Sequence, residues 1–169
     1  TVFRPDLTTI VIIGNIEPAT AKAVIEKYFG GWQAKGPKPA TDFKPVADNK
    51  PSSVVVPDNS RVQNEVRLSE TVGLTRSNPD YYPLQVGIHV LTGAFYATRF
   101  YQDLREKNGL VYAVEASLHA GKTRSTFGIF YGCDPQNVTK ARSIIERDLS
   151  EMAPNLVNTE ELSQAKNLL

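Results

Sequence analysis

Val111 to Leu118 and Thr123 to Gly132 are two β-rich runs separated by little more than Ala120-Gly121-Lys122. A connection this short can only join neighbouring strands running in opposite directions, since parallel strands need a crossover of a dozen or more residues. The chain therefore has an antiparallel hairpin at its centre, and its helices must cover a face of that sheet.

The rest of the chain supplies those helices. Asp134-Pro135 opens one in which Val138, Ala141, Ile145, Leu149 and Met152 form an apolar stripe. Ser77-Asn78-Pro79-Asp80 supplies a cap, a first-turn proline and a first-turn acid ahead of a helix reaching about Thr92. Thr98 to Lys107 reads as a further helix, stopped by Asn108-Gly109, and Thr159-Glu160-Glu161 begins a last one. Before the hairpin, Arg61 to Val72 alternates with Val62, Val66, Leu68 and Val72 on one face, and Ser53 to Pro57 is a brief strand candidate. Near the start, Thr8 to Gly14 reads as a strand, followed by a helix with Pro18 at its opening and Gly30-Gly31 past its end. Adjacent strands with amphipathic helices predict an α+β fold, an antiparallel sheet with helices packed on one face.

Between these parts the composition changes. From Gly30 to Ser52, Pro37, Pro39, Pro45 and Pro51 alternate with Lys, Asp and small residues, and no hydrophobic period survives. The expected organisation is a strand-helix remnant of a preceding lobe over 1–31, a proline-rich connector over 32–52, and an α+β domain over 53–169, cut off in its last helix. The opening Thr1-Val2-Phe3-Arg4-Pro5 has neither an initiator Met nor a secretion-signal pattern, which suggests a fragment or processed product.

Charge and composition exclude several classes of function. Nineteen basic against eighteen acidic residues give a formal charge of +1, so no global field draws this chain to nucleic acid or anionic lipid. Its apolar runs are too short for a membrane span. The two histidines, His89 and His119, have no second ligand at metal spacing, and no H-E-x-x-H, H-x-x-E-H or C-x-x-C occurs, so no intrinsic metal site is expected. The single cysteine, Cys133, has no histidine nearby in sequence and reads as a packed core residue rather than a nucleophile. Gly14-Asn15-Ile16-Glu17 lacks the further glycines of a phosphate loop.

One segment carries a more specific signal. Thr98-Arg99-Phe100 follows a helix ending at a small residue, and Leu104-Arg105-Glu106 continues through Gly109-Leu110 to Tyr112 and Val114. This pattern resembles the signature of the insulinase, pitrilysin and mitochondrial-processing-peptidase family of zinc peptidases. Lys27-Tyr28-Phe29-Gly30 and Glu160-Glu161-Leu162 with Ala165-Lys166 resemble other parts of that family, so the likeness runs over nearly the whole chain. The family holds its zinc with H-x-x-E-H and a distant Glu. This chain has no such set, so the resemblance is to the family's metal-free type of domain.

The resemblance implies no catalytic group in the chain itself and a substrate-binding role for Arg105 and Tyr112, seven residues apart. It further implies zinc on an H-x-x-E-H domain of the same chain or of a partner subunit, a peptide substrate, and by family likeness alone a periplasmic location. A guanidinium and a phenol are suitable donors to the oxyanion that forms when a peptide carbonyl is attacked. Spacing alone is also compatible with Arg105 sitting favourably at a helix C-terminus and Tyr112 packing on its strand. The alternative function within the same fold is a scaffold or assembly subunit that has lost catalysis.

Overall fold

The structure is a computed structural model and describes residues 3–41, 44, 47–93 and 96–168. Ala94 and Phe95 of the signature segment and Pro45 of the connector lie outside these residues. Contacts divide the chain into two compact units, Thr1–Lys44 and Pro45–Leu169.

In the first unit, helix α1 (Pro18–Phe29) begins on Pro18, whose missing amide proton costs nothing at that position. The Thr8 to Gly14 run is not a strand. It carries no ladder partner among the described residues, and Val11 and Ile13 are exposed. An isolated strand leaves its amides unpaired, so β propensity alone does not make one. Arg4 holds this unit together. Its guanidinium binds both carboxylate oxygens of Asp6 at 2.8 Å and donates to the carbonyls of Lys35, Gly36 and Pro37 at 2.9, 3.1 and 2.9 Å. Those carbonyls belong to a turn made by Gly36 at φ +72°. The hydrogen bonds from Arg4 hold the Asp6 carboxyl below the usual carboxylate range.

The second unit is an α+β layer with a three-stranded antiparallel sheet in the order β1-β3-β2. Its elements are β1 (Asn64–Val72), α2 (Tyr81–Ile88), β2 (Val111–His119), β3 (Ser125–Cys133), α3 (Val138–Met152) and α4 (Thr159–Leu168). Strand β3 is central, and its alternate residues Ile129, Tyr131 and Cys133 enter the core. Register places Leu68 and Ala116 beside Ile129, and Val66 and Val114 beside Tyr131, so one face of all three strands is apolar. Helix α3 packs Ala141, Ile144 and Ile145 into the same core, which Phe100 and Leu104 also join. Val138, Leu149 and Met152 of the expected stripe pack at its margin.

Several boundaries differ from the sequence reading. Ser53 to Pro57 forms no strand, with Val54, Val55 and Val56 exposed, again for want of a neighbouring strand among the described residues. Val62 lies outside β1 and is exposed. Helix α2 continues into a π-helical turn, His89–Gly93, and the segment carrying Arg105 is π-helical over Tyr101–Glu106.

The two outer strands have unlike edges. On β2, side chains reach the backbone: Thr92 Oγ1 accepts from the Ala116 amide at 3.1 Å and lies 3.3 Å from its carbonyl. Gln85 donates to the Leu118 carbonyl at 3.0 Å, and Arg105 to that of Tyr112 at 3.0 Å. On β1 the contact of this kind is at one end, where Asn49 and Thr71 exchange hydrogen bonds.

Candidate functional site

Arg105 and Tyr112 are brought together by the turn between their elements. Gly109 donates its amide to the carbonyl of Arg105 at 2.9 Å, and Leu110 to that of Leu104 at 2.8 Å, closing the helical segment with two nested bonds, each one residue wider than in a Schellman motif. Gly109 sits at φ +58°, where a side chain would strain the backbone. Leu110 and Val111 are buried immediately afterwards, which pins the start of β2 to the core. The chain thus reverses within a few residues, and the end of the helical segment faces the first turn of the strand.

The Arg105 guanidinium donates to the Tyr112 carbonyl at 3.0 Å and lies 5.3 Å from the centre of the Tyr101 ring. Both Arg105 and Tyr112 are exposed, with 53% of Tyr112 open to solvent. The Tyr112 hydroxyl donates to the Asp134 carboxylate, 3.1 Å from each oxygen. That bond, together with the negative charge of Asp134, pushes the phenol pKa up. Asp134 stands at the N-cap position of the turn that follows β3. Its side chain makes no cap bond and is turned to Tyr112 instead. A phenol that gives its proton to a carboxylate keeps its lone pairs as acceptors, so here Tyr112 is arranged to accept a hydrogen bond.

Beside the pair lies a cavity of about 170 Å³ between Thr92, Thr98, Tyr101 and Arg105 on one side and Val111 to Val114 on the other. Tyr101 and Thr98 have no counterpart in the sequence reading, because a threonine or tyrosine inside an apolar helical pattern gives no signal of lining a void.

The other sequence candidates are not part of this site. Nδ1 of His89 lies 3.3 Å from the carbonyl of Gln85, its own helix neighbour. His119 stands at the far end of β2 and is exposed. Cys133 is fully buried, and burial pushes its thiol pKa up, the opposite of what a nucleophile needs. Among the described residues no group of three or more His, Cys, Asp or Glu side chains could hold a metal ion. Among the same residues no helix is long and apolar enough to cross a membrane.

The model of the family described as "Peptidase M16 inactive domain" matches residues 1–169. The chain belongs to that family. Curated relatives of this M16 inactive domain include the uncharacterized zinc protease YmxG of Bacillus subtilis, 26% identical over 97% of the chain and 38% of the relative. An uncharacterized zinc protease of Mycobacterium leprae is 23% identical over 99% of the chain and 37% of the relative. The domain therefore spans less than two fifths of these relatives. A crystal structure of a peptidase M16 inactive domain from Pseudomonas fluorescens superposes with a TM-score of 0.75 at 25% identity, over 91% of this chain and 36% of that one. A protease from Helicobacter pylori shares the fold, with a TM-score of 0.74 at 15% identity over 92% of this chain and 38% of that one.

A second polar cluster fastens α4 and α3 to the segment following Thr98. Arg99 makes a two-pronged pair with Glu161 at 2.7 and 2.9 Å, and this hydrogen bonding lowers the Glu161 pKa. Arg147 donates twice to Oδ1 of Asp148, at 3.0 and 2.6 Å, and also pairs with Asp103. Oδ2 of Asp148 is buried with no partner. Burial pushes the Asp148 carboxyl pKa up. The Arg147 hydrogen bonds and charge oppose that shift, while Asp103 and Glu151 reinforce it. Asp148 also lies near Arg99.

A carboxyl raised in the folded state contributes stability that is fully present below its unfolded pKa and is lost as pH rises through the folded value. Asp148→Asn removes that loss. The melting-temperature difference, variant minus parent, is expected to grow as pH rises above about 4, the ordinary carboxyl value. The oppositely signed contribution of Glu161 is common to both proteins and cancels. A difference that stays flat over this range contradicts the assignment.

Proposed function

We propose that this M16 inactive domain forms part of the chamber wall of an insulinase- or pitrilysin-like zinc peptidase and contacts the peptide substrate through Arg105 and Tyr112. The zinc and the general base belong to an H-x-x-E-H domain of the same chain or a partner subunit. On this reading residues 1–31 belong to the preceding lobe, 32–52 connect, and 53–169 form the metal-free domain. The observation that carries the reading is the reversal at Gly109, which brings the always-charged guanidinium of Arg105 to the backbone carbonyl of Tyr112, with both residues exposed. Arg105 supplies N–H donors for a peptide carbonyl and for the oxyanion it becomes. Tyr112, with its proton given to Asp134, accepts from a peptide N–H, and it becomes a donor only by leaving Asp134.

One observation favours a second reading, a scaffold domain of the same fold. The hydrogen bonds of Arg105 to the Tyr112 carbonyl and of Tyr112 to Asp134 give each side chain a partner within the domain, without a substrate.

The test is a zinc and activity balance. The purified chain is expected to retain no stoichiometric zinc after dialysis against a weak chelator and to cleave no peptide, whereas the same chain joined to an H-x-x-E-H domain cleaves peptides. One zinc per isolated chain, or hydrolysis by it, contradicts the proposal. Joined domains that bind zinc and peptide but show no turnover favour the scaffold.

A further inference from the structure

The register of β2 against β3 slips at Tyr112. Val111 stands opposite Cys133 and Ala113 opposite Gly132, so two steps on β2 match one on β3, and Tyr112 is the extra residue. A bulge of this kind leaves its extra residue out of the ladder and re-aims the side chain. Both polar ends of Tyr112 then take partners elsewhere: its carbonyl accepts from Arg105, and its hydroxyl donates to Asp134. Asp134 follows directly on Cys133, the last residue of β3, and Gln63 directly precedes Asn64, the first of β1. Asn64 and Val111 both stand opposite Cys133, so the ends of all three strands meet near this hydroxyl. The Gln63 side chain also bonds to it, favouring the phenolate that Asp134 disfavours.

Asp134 is available for this contact because the helix start makes no use of its side chain. Both of its oxygens are 3.1 Å from the hydroxyl, which faces the whole carboxylate. A hydrogen bond to a carboxylate is charge-assisted and about twice as strong as one between neutral groups. An oxyanion forming beside Tyr112 would have to compete for the proton with that carboxylate. A peptide N–H meets no such competition, because the phenol oxygen can still accept.

We infer that Asp134 is a positioning residue: by holding the Tyr112 proton it makes this phenol an acceptor for a peptide N–H of the substrate and leaves the oxyanion to Arg105. The inference rests on the proposed contact of Tyr112 with substrate.

Asp134→Asn replaces the carboxylate by a neutral, weaker acceptor of the same shape, and asparagine caps helices as well as aspartate does, so the fold is expected to stand. In the chain carrying isotope-labelled tyrosine rings, the Tyr112 signal is identified by its loss in Tyr112→Phe. It is expected to titrate at lower pH in Asp134→Asn than in the parent. A purely structural bond would do the same, so the deciding readout is kinetic, in the chain joined to its zinc-bearing domain. With Asp134 in place, Tyr112→Phe is expected to raise KM about tenfold and leave kcat within about twofold. In Asp134→Asn, where the freed proton can turn to the oxyanion, the same substitution is expected to lower kcat about tenfold or more. Asp134→Glu, which keeps a carboxylate, should keep the first pattern. A Tyr112 titration unmoved by Asp134→Asn would overturn the inference at its geometry. A cost confined to KM in both backgrounds would overturn it while leaving the Tyr112 contact standing, and no cost in either background would remove that contact as well.

Discussion

On the proposed function, Arg105→Ala in the chain joined to its zinc-bearing domain is expected to lower kcat by ~10²–10³, the scale of losing one preorganised donor to the oxyanion. Zinc content and melting temperature should stay as they were, because Arg105 is exposed and its bond to the Tyr112 carbonyl is a surface contact. Arg105→Lys keeps the charge but loses the planar fork, so it should recover only part of the rate. Tyr112→Phe is expected to cost less, about tenfold and chiefly in KM. Its hydroxyl proton is already committed to Asp134, which leaves a ground-state contact to lose. Steady-state kinetics on purified variants, alongside zinc analysis and thermal melts, decide the matter. Turnover within about twofold of the parent for Arg105→Ala would move Arg105 out of the catalytic machinery.

The second large effect is on stability. Phe100 has no exposed surface, and it belongs to the same core cluster as the buried residues of β3 and α3. Phe100→Ala is expected to destabilise the second unit by ~3–5 kcal/mol, through lost burial and the cavity left behind. For a unit of this size that corresponds to a fall in Tm of about 10 °C or more. Tyr82→Ala, at a side chain 69% exposed, serves as the control and should change stability by about 0.5 kcal/mol or less. Calorimetry of both variants checks the contrast, and a Phe100→Ala protein melting with its parent would mean that the core is not packed as described.

Much of the second unit was legible in the sequence. The hairpin over Val111–His119 and Ser125–Cys133 follows from a short connection between two β-rich runs, and α3 from a stripe repeating at helical spacing. The stop at Asn108-Gly109 was equally readable, since Gly109 does adopt the left-handed conformation. The runs at Thr8 to Gly14 and Ser53 to Pro57 were not, because local propensity reports what a segment prefers when a partner is present, and pairing is a tertiary fact. The π-helical turns also escaped, since a shift from four- to five-residue hydrogen bonding leaves no mark on the apolar pattern. At the site, family resemblance pointed to Arg105 and Tyr112. Asp134 escaped notice because a residue before a proline at a helix start reads as a cap, and its turn toward Tyr112 depends on where β2 lies.

The unlike edges of the sheet give its growth a direction. Side chains occupy the outer rim of β2 at Tyr112, Ala116 and Leu118, so a foreign strand could add along it only by evicting them, whereas among the described residues the bonds of this kind on β1 lie near Thr71. The domain is thus a ribbon sealed on one flank and extendable on the other. Any fusion, strand swap or fibril seed that recruits this sheet would be expected to start alongside Asn64 to Ser69, and a lysine or proline placed there should block assembly without touching the Arg105 side of the molecule.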